Sequence, residues 1–169
     1  TEPLAEPQPD LRQSGAEAER ILRTEYSDIR VLVAEDDWVN QEVSLELLRE
    51  TLGLSVDVAL DGAAALEMAL QHRYDLILMD MQMPVLDGIG ATQAIRELDA
   101  YSSVPIIAMT ANAFADDRAQ CLDAGMNDFI AKPVDPDRLF VVMLHWLRQR
   151  SQLEQLTSSP FAQSGGIAA

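Results

Sequence analysis

The chain has 169 residues, 48% of them hydrophobic and 24% charged, with a formal net charge of −16. That length and apolar content suit one folded domain with flanking segments rather than a disordered chain, and the acidity excludes a protein whose main task is gripping phosphate backbones. No apolar run approaches the roughly 18 residues of a membrane span, and Cys121 is a lone cysteine, so the fold needs no oxidising compartment and a cytoplasmic setting is expected.

The first ten residues, "TEPLAEPQPD", carry three prolines and no hydrophobic periodicity. Residues 1–28 read as a connector, in which 11–27 can form a short helix with little to bury. The missing initiator Met and the lack of a signal peptide point to an excised piece of a longer protein, whose parent is free to be membrane-anchored. Five short apolar runs follow: "RVLVA" (30–34), "SVDVA" (55–59), "DLILM" (75–79), "VPIIAMT" (104–110) and "DFIA" (128–131). Four are continuously apolar, as strands buried on both faces are, whereas "SVDVA" alternates and suits a sheet edge.

Between the runs lie stripes at helical spacing: Val39, Val43 and Leu47; Ile89, Thr92 and Ile95; Leu139, Val142, Trp146 and Leu147. Strands alternating with helices at this spacing predict an α/β domain over 29–149, a parallel sheet wrapped on both faces. Residues 150–169 form a tail, small, polar and disordered at its end.

In such sheets ligands bind beyond the carboxyl ends of the strands. Glu35, Asp36 and Asp37 follow the first strand, Asp80 the third, Thr110 closes the fourth and Lys132 follows the fifth. Two carboxylates about 5 Å apart repel by roughly 3 kcal/mol at an effective dielectric near 20, so this rim needs a compensating cation. Oxygen-only ligands select a hard divalent ion, Mg2+ with Mn2+ as the alternative. Asp36 and Asp80 are the direct ligands, Glu35 acts through bound water, and the Gln82 carbonyl completes the shell. Asp80 is also placed to be a nucleophile toward phosphorus. Lys132 then pairs with the carboxylate and a phosphoryl oxygen, while the Thr110 hydroxyl and the Ala111 N–H take another oxygen.

The set "VLVAEDD", "LILMDMQMPVLDG", "PIIAMTA" and "AGMNDFIAKPV", in this order, resembles the receiver domain of two-component response regulators. The resemblance implies a flavodoxin-like, doubly wound five-stranded sheet of order 2-1-3-4-5 with five helices. It implies that Asp80 is phosphorylated from a phosphohistidine, that Phe129 and Thr110 are switch residues, and that the Lys132–Pro133 peptide is cis. The switching face is then formed by the helix after the fourth strand, the fifth strand and the helix after it. Phosphate is lost again by slow self-hydrolysis.

Within the family the motifs look most like receivers of hybrid sensor histidine kinases. The implied partners are a histidine kinase core or a histidine phosphotransfer protein, with no direct nucleic-acid or membrane contact and a monomer or weak dimer. Trp38 departs from the Pro or small residue expected there. Two rivals remain: a metal-dependent phosphohydrolase with an aspartyl nucleophile, which would carry Asp-x-Asp after the first strand, and a docking module that is not phosphorylated. Cys121, with Phe114 and Leu122, reads as packing, and His72 and His145 as ordinary surface residues. Met79, Met81 and Met83 read as gap fillers around the site.

Overall fold

A computed structural model describes residues 11–111 and 115–157. The linker expected over 1–10, the disorder expected over 158–169 and Phe114 all lie outside the described residues. In chain order, helix α1 (Leu11–Glu25) precedes strand β1 (Arg30–Ala34), and α2 (Trp38–Leu45) runs into a π-helical turn (Glu46–Thr51). Then come β2 (Ser55–Ala59), α3 (Gly62–Gln71), β3 (Leu76–Asp80), α4 (Gly88–Arg96), a 3-10 turn (Asp99–Tyr101), β4 (Ile106–Thr110), α5 (Ala115–Ala124), β5 (Asp128–Ala131) and α6 (Pro136–Thr157).

The strands pair in parallel in the order β2-β1-β3-β4-β5. Strands β3 and β4 are buried at every residue, as continuous apolar runs require of central strands, and β2, with Asp57 at its middle, lies at an edge. The fifth run takes the opposite edge, as the expected order requires, but it is not covered on both faces as its apolar run suggests: Ile130 is its one buried residue. Two apolar clusters sandwich the sheet: α1, α2 and α6 cover one face, and α3, α4 and α5 cover the other.

Two further sequence expectations are corrected. Of the stripe Val39, Val43, Leu47, the first two do not face the sheet: Val39 is 52% and Val43 39% exposed, whereas Leu47 is partly buried against the core. The buried side is Ser44, Leu48 and Leu52, four residues apart, because the π turn widens the helix and keeps every fourth residue in line. The segment expected to bury little is a full helix: α1 seats Ala18, Ile21 and Leu22 in the same cluster as Leu139, Met143, Leu144 and Leu147 of α6. This makes six α-helices rather than five among the described residues.

Candidate functional site

Strand β1 delivers its acidic end to the rim by continuing its pairing one residue further, the Glu35 N–H donating to the Ala59 carbonyl at 3.0 Å. Gln41 Nε2 donates to the Glu35 carbonyl at 2.7 Å, and the whole residue is buried. Asp36 stays exposed. Asp37 turns away: its side chain caps α2, accepting from the Val39 N–H at 2.8 Å and the Asn40 N–H at 3.3 Å, a cap worth about 1 kcal/mol. The three carboxylates in a row thus divide into a buried one, an exposed one and a helix cap.

Asp80 is the last residue of the central strand β3 and is buried. Its Oδ1 accepts from the Gln82 N–H at 3.1 Å. The loop that follows is drawn in tightly. Val85 adopts a positive φ of 70°, a strained value for a β-branched residue, with the Leu86 N–H donating to the Pro84 carbonyl at 2.8 Å. Gly88 then opens α4 so close beneath that a Cβ there would collide with the Asp80 carbonyl oxygen. Backbone packing therefore fixes where the carboxylate stands.

From the sheet edge, Lys132 hangs its N–H on the Thr110 carbonyl at 2.8 Å and reaches inward. Its Nζ lies 2.6 Å from Glu35 Oε1 and 3.1 Å from Asp80 Oδ2. The Lys132–Pro133 peptide is cis. Glu35, Asp36 and Asp80 each offer a carboxylate oxygen within 4.8 Å of the others.

Burial pushes the Glu35 carboxyl up to about 7, and its hydrogen bond with Asp80 adds to this against the pull of Lys132. Burial alone would lower the Lys132 ammonium, but its bonds to Glu35 and Asp80 raise it overall, so it stays charged. One ammonium does not balance three carboxylates. The remaining negative charge, the all-oxygen donors and the open side at Asp36 fit a hard divalent cation. The cleft, about 260 Å³, is also lined by Gln82, Ala111 and Lys132.

Thr110 is buried at the end of β4, next to Ala111. Phe129 is partly buried among the residues packed on the α3–α5 side, with the Arg118 guanidinium 5.5 Å from its ring centre; it does not line the cleft. Cys121 is buried with its Sγ 3.5 Å from Met81 Sδ, whereas Leu122, expected beside it, is 52% exposed. His72 and His145 are exposed. Sequence reasoning missed Gln41, which steadies Glu35, and the capping by Asp37, although an Asp just before a helical stripe is a readable cap signal.

Residues 31–143 match the response regulator receiver domain family. The chain belongs to that family. Among curated relatives of this receiver, hybrid signal transduction histidine kinase B of Dictyostelium discoideum is 40% identical over 126 residues, 68% of this chain and 6% of its own length. Two-component system protein A of Emericella nidulans is 45% identical over 119 residues, 69% of this chain and 17% of its own length. The receiver therefore spans a small fraction of both relatives.

Among solved structures, the receiver domain of a sensor histidine kinase from Pseudomonas aeruginosa PAO1, with a magnesium ion coordinated in its active site cleft, is 46% identical with a TM-score of 0.67. The match covers 71% of this chain and 98% of that one. The receiver of Saccharomyces cerevisiae Ssk1, solved with the histidine phosphotransfer protein Ypd1, is 32% identical with a TM-score of 0.65, covering 70% and 88% of the two chains. Described residues include no helix long and apolar enough to cross a membrane.

Proposed function

We propose that this receiver accepts a phosphoryl group on Asp80 from a phosphohistidine, as one step of a phosphorelay within or beside a hybrid sensor histidine kinase. The observation that carries this reading is the buried Asp80 carboxylate, held 3.1 Å from the Lys132 ammonium and grouped with Glu35 and Asp36 at the end of the central strand. Mg2+ is the favoured ion, with Asp36 and Asp80 as direct ligands, the Gln82 carbonyl completing the shell and Glu35 acting through bound water. Bound there, the ion supplies neutralising charge to the transferred oxygens.

The chain's own groups do the rest. As the P–N bond of the donor breaks, an Asp80 oxygen forms the new O–P bond, and the imidazole nitrogen keeps the electron pair and takes a proton. Lys132 exchanges part of its pairing with Asp80 for a phosphoryl oxygen. The Thr110 hydroxyl and the Ala111 N–H bind another, and Phe129 follows the change into the face formed by α5, β5 and α6. The phosphoryl group biases two arrangements of that face, and slow hydrolysis of the acyl phosphate resets it.

The partner is a histidine kinase core or a histidine phosphotransfer protein, met by a domain that is a monomer or weak dimer. Intact mass after incubation with an acyl phosphate tests the chemistry. One added phosphoryl group, dependent on Mg2+ and absent in Asp80→Asn, is expected; equal uptake by Asp80→Asn would refute the assignment.

A further inference from the structure

Helix α1 lies outside residues 31–143, the stretch shared with the family, and so do the last turns of α6. These two additions pack on each other. Ala18 and Ile21 of α1 line a groove with Val141, Leu144, His145 and Arg148 of α6, and Ile21 and Leu22 enter the core. The helices touch again at the rim end of α6. Gly15 lies so close to Asp137 that a Cβ added there would stand 2.5 Å from Asp137 Cβ and 2.6 Å from its Cγ.

Asp137 is five residues beyond Lys132. The segment between them is short and fastened at both ends: the Lys132 N–H donates to Thr110, and the Asp137 and Leu139 N–H groups both donate to Asp135, at 3.0 Å to its side chain and 2.9 Å to its carbonyl. Val134, midway, packs against the same core as α1.

From this juxtaposition we propose that α1 is a latch on α6 whose seating responds to the phosphoryl state of Asp80, through Lys132 and Asp137. The inference rests on the phosphoryl-acceptor reading above. A phosphoryl group adds negative charge at Asp80 and draws the Lys132 ammonium toward it. Because the segment to Asp137 is short and bonded, that pull displaces the first turn of α6. At Gly15 the fit has no slack, so displacement in either direction, into a clash or away from contact, weakens the seat of α1. The site and the latch are then coupled reciprocally.

Hydrogen exchange on the full chain tests this, read by mass spectrometry on protein whose intact mass shows one added phosphoryl group. Amides of α1 should exchange at least about fivefold faster in the charged form, the low end of an allosteric coupling. In Asp137→Ala the core seats of Ile21 and Leu22 are untouched but the contact with Gly15 is slack, so the ratio should fall to about one. Equal exchange in the two states of the wild type, or a ratio that survives in Asp137→Ala, overturns the latch. A chain that takes up no phosphoryl group from any donor fails at the acceptor chemistry instead, and the latch falls with it.

Discussion

Lys132 Nζ stands 3.1 Å from Asp80 Oδ2, a bond that joins the end of edge strand β5 to the end of central strand β3 across the intervening β4. The same ammonium is 2.6 Å from Glu35 Oε1, so a single partly buried cation serves two buried carboxylates. That arrangement makes the site costly to leave incomplete and responsive to anything that competes for the lysine.

Replacing Lys132 by Ala leaves Glu35 and Asp80 buried beside each other without their ammonium. Breaking a buried pair in this way costs about 3–5 kcal/mol, reduced where solvent reaches the site. Chemical denaturation should show the loss in EDTA and a larger stabilisation by Mg2+ in the variant than in the wild type. Phosphoryl-dependent switching should be lost more completely than Mg2+ binding.

The pH dependence has a definite sign. With no divalent ion bound, burial pushes the folded-state Glu35 carboxyl up to about 7 from its ordinary value of 4.5. The folded state then holds a proton that the unfolded chain has released. Its contribution is fully present below pH 4.5 and is lost as the pH rises through about 7. Thermal denaturation in EDTA should therefore show the wild type losing stability relative to Glu35→Gln between pH 5 and pH 7.5, approximate bounds set by that shift. A gain over that interval would contradict the assignment.

Arg96 ties the far side of the sheet together. Its guanidinium donates to the carbonyls of Gly125 (2.8 Å), Tyr101 (2.6 Å) and Val104 (2.7 Å) and to Asn127 Oδ1 (2.8 Å). Asn127 Oδ1 also accepts from the Ile106 N–H at the start of β4. Arg96→Ala strands several partly buried acceptors at about 1–3 kcal/mol each, so denaturant unfolding should show a loss of at least about 3 kcal/mol. Arg96→Lys should recover little of it, because a point charge cannot reproduce the planar fork.

The rim was legible because β1, β3, β4 and β5 are compact apolar runs that lead to chemically distinctive residues, and a parallel sheet brings those ends to one edge. The Glu35–Asp36 pair, Asp80 and Lys132 come from three distant parts of the chain yet form one cluster. The phase of α2 was not legible, since Val39, Val43 and Leu47 make an ordinary helical stripe and nothing in "ELLRET" announces a π turn. Trp38 stands 71% exposed beside Asp37, and Val39 and Val43 lie outside rather than under the sheet. The burial of α1 escaped notice for another reason: its apolar residues are few, and their partner is a helix more than a hundred residues away in the chain.

Time-resolved transfer from a purified phosphohistidine protein, followed by intact mass of both partners and by mapping the modified residue, tests the central claim most directly. The expected result is one phosphoryl group lost by the donor and gained on Asp80 in the presence of Mg2+, with no gain in Asp80→Asn. A donor that transfers equally well to Asp80→Asn, or a phosphoryl group mapped to another residue, would contradict the account.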